Sequence, residues 1–140
     1  MSDSSTATPA AKYRFWSEEK LRNADTDQQG HVNNAVMATF FEAGRMDLLA
    51  SPAIAHIRAA TSIVVVRLLV NYKRELFYPG TVRIGSRVVR VGTSSMSFEQ
   101  AIHSVNGEVA TAEATCVLIG PVSHKPTPVP DELRAYLTGG

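Results

Sequence analysis

The chain has 140 residues, 44% apolar and 19% charged, which suits one globular domain with a buried core and is too short for two. Fourteen Lys and Arg against thirteen Asp and Glu leave a formal charge of +1, which argues against a protein built to coat nucleic acid. A single cysteine, Cys116, excludes an internal disulfide framework and any multi-cysteine metal site, and the apolar runs are too short to span a bilayer.

Residues 1–11 (MSDSSTATPAA) are polar, lack a basic start and lack an apolar stretch. They read as a flexible tail and not as a secretory signal, ahead of one domain over residues 12–140. With one cysteine and no leader, a cytoplasmic location is expected. Residues 12–21 are aromatic at their start and read as a first strand. Residues 23–34 (NADTDQQGHVNN) are a loop by composition. Residues 35–49 then take a helical period. Met37, Phe41, Gly44 and Leu48 form one continuous face, with Val36, Phe40 and Ala43 beside it. Only Thr39, Glu42, Arg45 and Asp47 remain for a narrow polar edge, so the helix is expected to be wrapped by the rest of the chain. Gly44 in its interior suggests close approach of another backbone, Asn33 or Asn34 suits the N-cap, and Ser51-Pro52 ends the helix.

Residues 51–61 read as a loop, after which the period changes to two. In residues 62–72, Val64, Val66, Leu68, Val70 and Tyr72 fall on one face and Val65, Arg67, Leu69 and Asn71 on the other. Residues 81–91 form the next strand, with Gly85-Ser86 suggesting a bulge. Residues 95–105 alternate again. Asn106-Gly107 is a strong hairpin signal leading into residues 108–119. In that last strand Ala110, Ala112, Ala114, Cys116 and Leu118 form a row of small residues, leaving space that the buried helix fits. A stretch with four prolines follows, and Pro130-Asp131-Glu132 opens a short terminal helix. The expected fold is α+β: an antiparallel five-stranded sheet wrapped around a long central helix, with a short C-terminal helix.

The chemistry is concentrated in Asp25-Thr26-Asp27-Gln28-Gln29-Gly30-His31-Val32-Asn33-Asn34, just before the start of the central helix. A helix N-terminus offers unpaired N–H groups and a partial positive charge, which can polarise a carbonyl and stabilise its oxyanion. A carboxylate beside it can attack that carbonyl or activate water. Asp and Asn clusters before helices also serve as turn and cap residues, so spacing alone leaves both readings open. A calcium loop of the EF-hand type is excluded because Val36 stands where the bidentate acid belongs. The DxD pair lacks the buried upstream strand of aspartate phosphotransferases. The four histidines do not cluster, so no metal site is expected.

This loop, followed by Phe41-Glu42-Ala43-Gly44-Arg45, resembles the hotdog-fold thioesterases of the 4-hydroxybenzoyl-CoA thioesterase type. The resemblance covers about residues 12–137. It implies a homodimer with sheets joined edge to edge, or a dimer of dimers (a homotetramer), with active sites at the dimer interface. It further implies hydrolysis of an acyl-CoA to free acid and CoA. CoA is then part of the substrate, and no separate cofactor, nucleic acid or membrane is involved. Asp27 matches the catalytic carboxylate, and Asn34 the position whose backbone N–H polarises the thioester carbonyl. His31 stands where plant acyl-carrier-protein thioesterases carry a histidine, which makes it a candidate catalytic residue or a brace for the loop, but Gln29 replaces their asparagine. Gly30, Val32, Met37 and Phe41 match the walls of the substrate site, Met37 replacing a frequent tyrosine. The basic turn that helps hold CoA is here Gly92-Thr93-Ser94-Ser95, which leaves Lys73, Arg87, Arg90, Ser94 and Ser95 as candidate substrate contacts. An acyl-carrier-protein thioesterase and a non-catalytic acyl-CoA binding module on the same fold remain alternatives.

Overall fold

The computed structural model describes residues 12–28 and 30–139. The expected tail at residues 1–11 lies outside the described residues. Strand β1 spans Phe15–Lys20, helix α1 Asn34–Leu48, a short helix α2 Ala55–Ala60, strand β2 Ser62–Tyr72, β3 Thr81–Val91, β4 Ser95–Ser104, β5 Gly107–Ile119 and helix α3 Asp131–Leu137. All strand pairs are antiparallel, in the order β1-β3-β4-β5-β2. β2 is therefore an edge strand, and residues 73–80 must pass β5 and β4 to reach β3.

Helix α1 is wrapped as its apolar circumference demands, with Met37, Phe40, Phe41, Gly44 and Leu48 buried. Its axis runs nearest β1, β3 and β4 rather than over the alanine row of β5. That row is covered by side chains instead: Ala110 and Ala112 share a buried cluster with Met37, Phe40 and Phe41. At Gly44 the helix meets side chains and not another backbone. An added Cβ would lie 2.7 Å from Ile84 Cγ2 and 3.0 Å from Gln100 Nε2.

Three further expectations are corrected. Arg45 does not stand on a solvated edge; it is 2% exposed, and its Nη1 donates to Gln100 Oε1 at 3.0 Å. Gln100 Nε2 in turn donates to Phe41 O and to Ser86 Oγ, so one polar network ties the helix to the middle of the sheet. Burial lowers the Arg45 pKa from its ordinary value and raises that of Cys116 nearby. Residues 51–61 are not a plain loop. Ser51 Oγ caps a turn at Pro52–Ile54, Pro52 sits at its first position, and α2 follows, burying Ile54 and Ile57. The bulge is not at Gly85-Ser86, where β3 pairs regularly with β4. Gly85 is needed because the rings of Tyr13 and Trp16 lie over it, 2.8 and 2.9 Å from where a Cβ would sit.

The register shifts instead occur between Val88 and Arg90 in β3, between Val65 and Arg67 in β2, and opposite Ile102 and His103, where Val109 is the extra residue of β5. The β2 shift changes which residues face inward. Leu68, Val70 and Tyr72 stand opposite Ala114, Ala112 and Ala110, whereas beyond the bulge Val65 and Ile63 stand opposite Cys116 and Leu118. The inward face is therefore Ile63, Val65, Leu68, Val70 and Tyr72, a sequence no simple alternation produces.

Gly44→Ala is expected to destabilise the fold by about 1–3 kcal/mol, because overpacking against the fully buried Ile84 outweighs the roughly 1 kcal/mol gained in helix propensity. Urea titration of the two proteins checks this, and an unchanged or raised midpoint would contradict the close packing.

Candidate active site

The loop before α1 is fixed at both ends by one residue, Asp25. Its buried carboxylate accepts from the Arg22 N–H at 2.8 Å and from Arg22 Nη2 at 2.7 Å, and its backbone oxygen accepts from the Asn33 N–H at 2.9 Å. The hydrogen bonds of Arg22 hold the Asp25 carboxyl below the usual carboxylate range, against the opposing effect of burial. Between these anchors the chain turns back on itself. Thr26 bridges to Val32, the Asp27 N–H donates to His31 O, and the Gly30 N–H donates to Asp27 O. Gly30 adopts a φ of 83°, a conformation that an L side chain rarely takes.

The returning arm pairs with the segment that crosses from β2 to β3. The Val32 N–H donates to Leu76 O, His31 bridges to Phe77, and the Tyr78 N–H donates to Gly30 O. Asn33 caps α1, its Oδ1 accepting from the Ala35 N–H at 2.8 Å. The Asn34 N–H, in the first turn of the helix, has no acceptor among the described residues. The Asn34 carbonyl accepts from the Tyr72 hydroxyl at 3.0 Å, which ties the end of β2 to the helix start.

These elements enclose a cavity of about 560 Å³. Asp27, His31, Val32 and Asn34 line it from the loop and helix, and Tyr72, Lys73, Arg74 and Glu75 from β2 and the crossing segment. Asp27 Oδ1 accepts from the His31 N–H at 3.0 Å, which aims the carboxylate. His31 Nδ1 lies 3.8 Å from Asp27 Oδ2 and 3.4 Å from Glu75 Oε2, and its ring stands edge-on to Phe77. Asp27, with its carboxylate, and Asn34, with its unaccepted helix N–H, thus both line one cavity.

Of the other residues singled out in the sequence, only Lys73 reaches the cavity. Gly30 shapes the loop and does not line the cavity. Met37 and Phe41 are 1% and 0% exposed within the core. Lys73 lines the cavity but is paired with Glu108 at 2.6 Å. Arg87 pairs with Glu99 at 3.3 Å and borders a separate cavity beside α3, and Arg90 is exposed on β3. Ser94 and Ser95 turn the chain at the far end of the sheet, where Ser95 pairs with Val117, itself opposite Val64 at the start of β2. Tyr72, Arg74 and Glu75 were not singled out as site residues. The inward position of Tyr72 at the end of an alternating strand is the one signal that points to it. Among the described residues, no group of three or more His, Cys, Asp or Glu is placed to hold a metal ion.

Residues 21–137 match the family model of the thioesterase-like superfamily. The chain belongs to that superfamily. No functionally curated protein matches the sequence. Among solved structures, this thioesterase-family chain is similar to a protein from Pseudomonas aeruginosa strain PAO1, at 27% identity over 93% of each chain and a TM-score of 0.84. It is also similar to a predicted thioesterase from Bacillus stearothermophilus, with 28% identity over 89% of this chain and 94% of that one, at a TM-score of 0.79. A third relative is a thioesterase from Thermus thermophilus complexed with coenzyme A and Zn. It has 26% identity over 91% of this chain and 93% of that one, at a TM-score of 0.76. The α+β hotdog fold read from the sequence is thus the fold of the protein, and its family's chemistry is thioester hydrolysis. No helix is long and apolar enough to cross a membrane among the described residues.

Because the folded pKa of Asp25 is depressed, its contribution to stability is fully present above the ordinary carboxylate pKa and is lost as pH falls through the folded value. Asp25→Asn is therefore expected to lower the melting temperature at pH 7, with the gap from wild type closing in strongly acidic solution. Melting curves across the acid range measure this, and a gap independent of pH would remove the ionised carboxylate as its cause.

Proposed function

We propose that the protein hydrolyses an acyl-CoA thioester to the free acid and CoA. The observation that supports this best is that Asp27 and Asn34, whose N–H has no acceptor among the described residues, line one cavity in a chain of the thioesterase-like superfamily. The thioester oxygen accepts from the Asn34 N–H, where the helix dipole favours the charge that develops as the carbonyl becomes tetrahedral. Asp27 either adds to the carbonyl carbon or takes a proton from a water that does so. The C–S bond then breaks, and the CoA sulfur leaves as a thiolate that takes a proton, from Asp27 on the water route and from solvent on the covalent route. On the covalent route a water then hydrolyses the Asp27 acyl anhydride, which releases the free acid and restores the carboxylate. His31 holds the Asp27 carboxylate through its backbone N–H, so its role in this reading is to brace the loop.

The site is completed by a second copy of the chain. β2 is an edge strand whose Val65, Leu68, Leu69 and Tyr72 are between 38% and 46% exposed, an apolar edge that a lone protein does not leave unpaired. Pairing two β2 strands antiparallel about a two-fold axis covers it. Such pairing brings the start of one β2, with the Ser94-Ser95 turn two strands away, toward the Tyr72 end of the other. This gives Ser94 and Ser95 a route to the substrate site that they lack within one chain. Arg87 and Arg90 on β3 lie farther along the same end.

Asp27→Asn is expected to lower kcat for acyl-CoA hydrolysis by about a hundredfold or more, with an unchanged elution volume and circular dichroism spectrum. Unchanged turnover would remove the mechanism. Leu69→Lys places a charge on the exposed edge and is expected to yield a folded monomer with little activity. Full activity in a proven monomer would show that each copy works alone.

A further inference from the structure

The thioesterase reading leaves open what carries the acyl group: CoA, with its nucleotide, or a pantetheine arm alone or on a carrier protein. Resting on that reading, we infer that Arg74 is a phosphate-binding residue that recognises the nucleotide of CoA.

Arg74 follows β2 directly and lines the same cavity as Asp27 and Asn34. Its backbone is pinned, since the N–H groups of Lys73 and Arg74 both donate to Val109 O, at 2.8 and 3.2 Å. Its side chain is also held. Nη1 donates to the carbonyl of Asn106 at 2.5 Å, and the guanidinium lies across Gly107, within 3.9–4.0 Å of where a Cβ would stand. With φ at +106°, Gly107 keeps the hairpin tip bare and lets the guanidinium rest on it. A guanidinium fixed through one N–H keeps its other donors for a ligand, and its planar fork matches phosphate oxygens.

The charges nearby are otherwise committed. Glu108 pairs with Lys73 at 2.6 Å and lies 3.4 Å from His103, while Glu75 lies 3.4 Å from His31. Arg74 has no carboxylate within ion-pair distance among the described residues, although it sits beside a cavity that holds Asp27. It is a positive charge held in place by a neutral carbonyl. Along β5, Gly107 lies three residues from Ala110, the partner of Tyr72. At strand rise that is about 10 Å from the Tyr72 end of the cavity, where the thioester docks. A bent pantetheine arm covers that distance and brings the CoA pyrophosphate or ribose phosphate to Arg74.

The test uses the full-length protein, the best acyl-CoA from a panel of graded chain length, and the pantetheine thioester of the same acid. Arg74→Gln is expected to raise KM for the acyl-CoA about tenfold, the size of one lost charge-assisted hydrogen bond, with kcat within about twofold. KM for acyl-pantetheine should not change, and Arg74→Lys should recover part of the loss. Added salt should raise KM for the acyl-CoA in wild type and much less in Arg74→Gln. Equal KM for acyl-CoA in wild type and Arg74→Gln, or an equal loss on both substrates, overturns the assignment. Calorimetric titration with CoA alone separates this from failure of the thioesterase reading. If no thioester is hydrolysed yet CoA binds about tenfold more weakly to Arg74→Gln, the phosphate site stands and the hydrolytic role falls. If the CoA affinity is the same in both, the phosphate site falls.

Discussion

The loop half of the site depends on Asp25. It sits at the bottom of the loop, holds Arg22 through its side chain and Asn33 through its backbone oxygen, and thereby sets both ends of the turn carrying Asp27. A buried carboxylate must be matched by donors, and here those donors are the neighbouring backbone and guanidinium. Once the ends are set, the Thr26–Val32 bridge and the left-handed conformation at Gly30 leave the Asp27 side chain one place to go. The position of Asp27 is thus set by a neighbouring acid, Asp25.

The other half of the site comes from the opposite logic. Its loop half is local, built from neighbours in sequence. The half formed by Tyr72, Lys73, Arg74 and Glu75 is placed by topology, because β2 lies at one edge of the sheet and β3 pairs near the other. The chain leaving β2 has to pass the start of α1 on its way across. In doing so it makes the hydrogen bonds from Val32 to Leu76 and from Tyr78 to Gly30 that close the cavity.

How much of this was legible in the sequence follows the same division. The helix was readable to within a residue because its apolar period is strong, and the two long strands 62–72 and 81–91 were readable because flanking turns mark their ends. The Asp27 loop was legible as a loop because its Asp, Gly, His and Asn residues are contiguous. The β2 bulge was not, since Val66 is as β-branched and apolar as its neighbours and nothing local marks it as the extra residue. Arg45 misled because residue type argues for solvent, whereas its long side chain runs inward to Gln100. Gly85 carried a real signal that was assigned to the wrong cause: a bare backbone is needed both at a bulge and under an aromatic ring, and only the fold tells them apart. Arg74 and Glu75 have no periodic or motif context, so only the crossing segment reveals that they share a space with Asp27.

The crossing of residues 73–80 also orders the events of folding. Contacts that join distant parts of a chain form late, since the loop closed between them costs conformational entropy before it is rewarded. The hairpins β3–β4 and β4–β5 are local and can form on their own, as can the turn around Asp27. The pairing of Val32 with Leu76 cannot, because it requires α1, β2 and the sheet edge to be in place together. A chain that has assembled most of its sheet and buried most of its helix therefore still lacks the cavity. The cavity thus arrives with a contact between distant parts of the chain, so its formation reports on the assembly of this corner of the fold more sharply than secondary structure does.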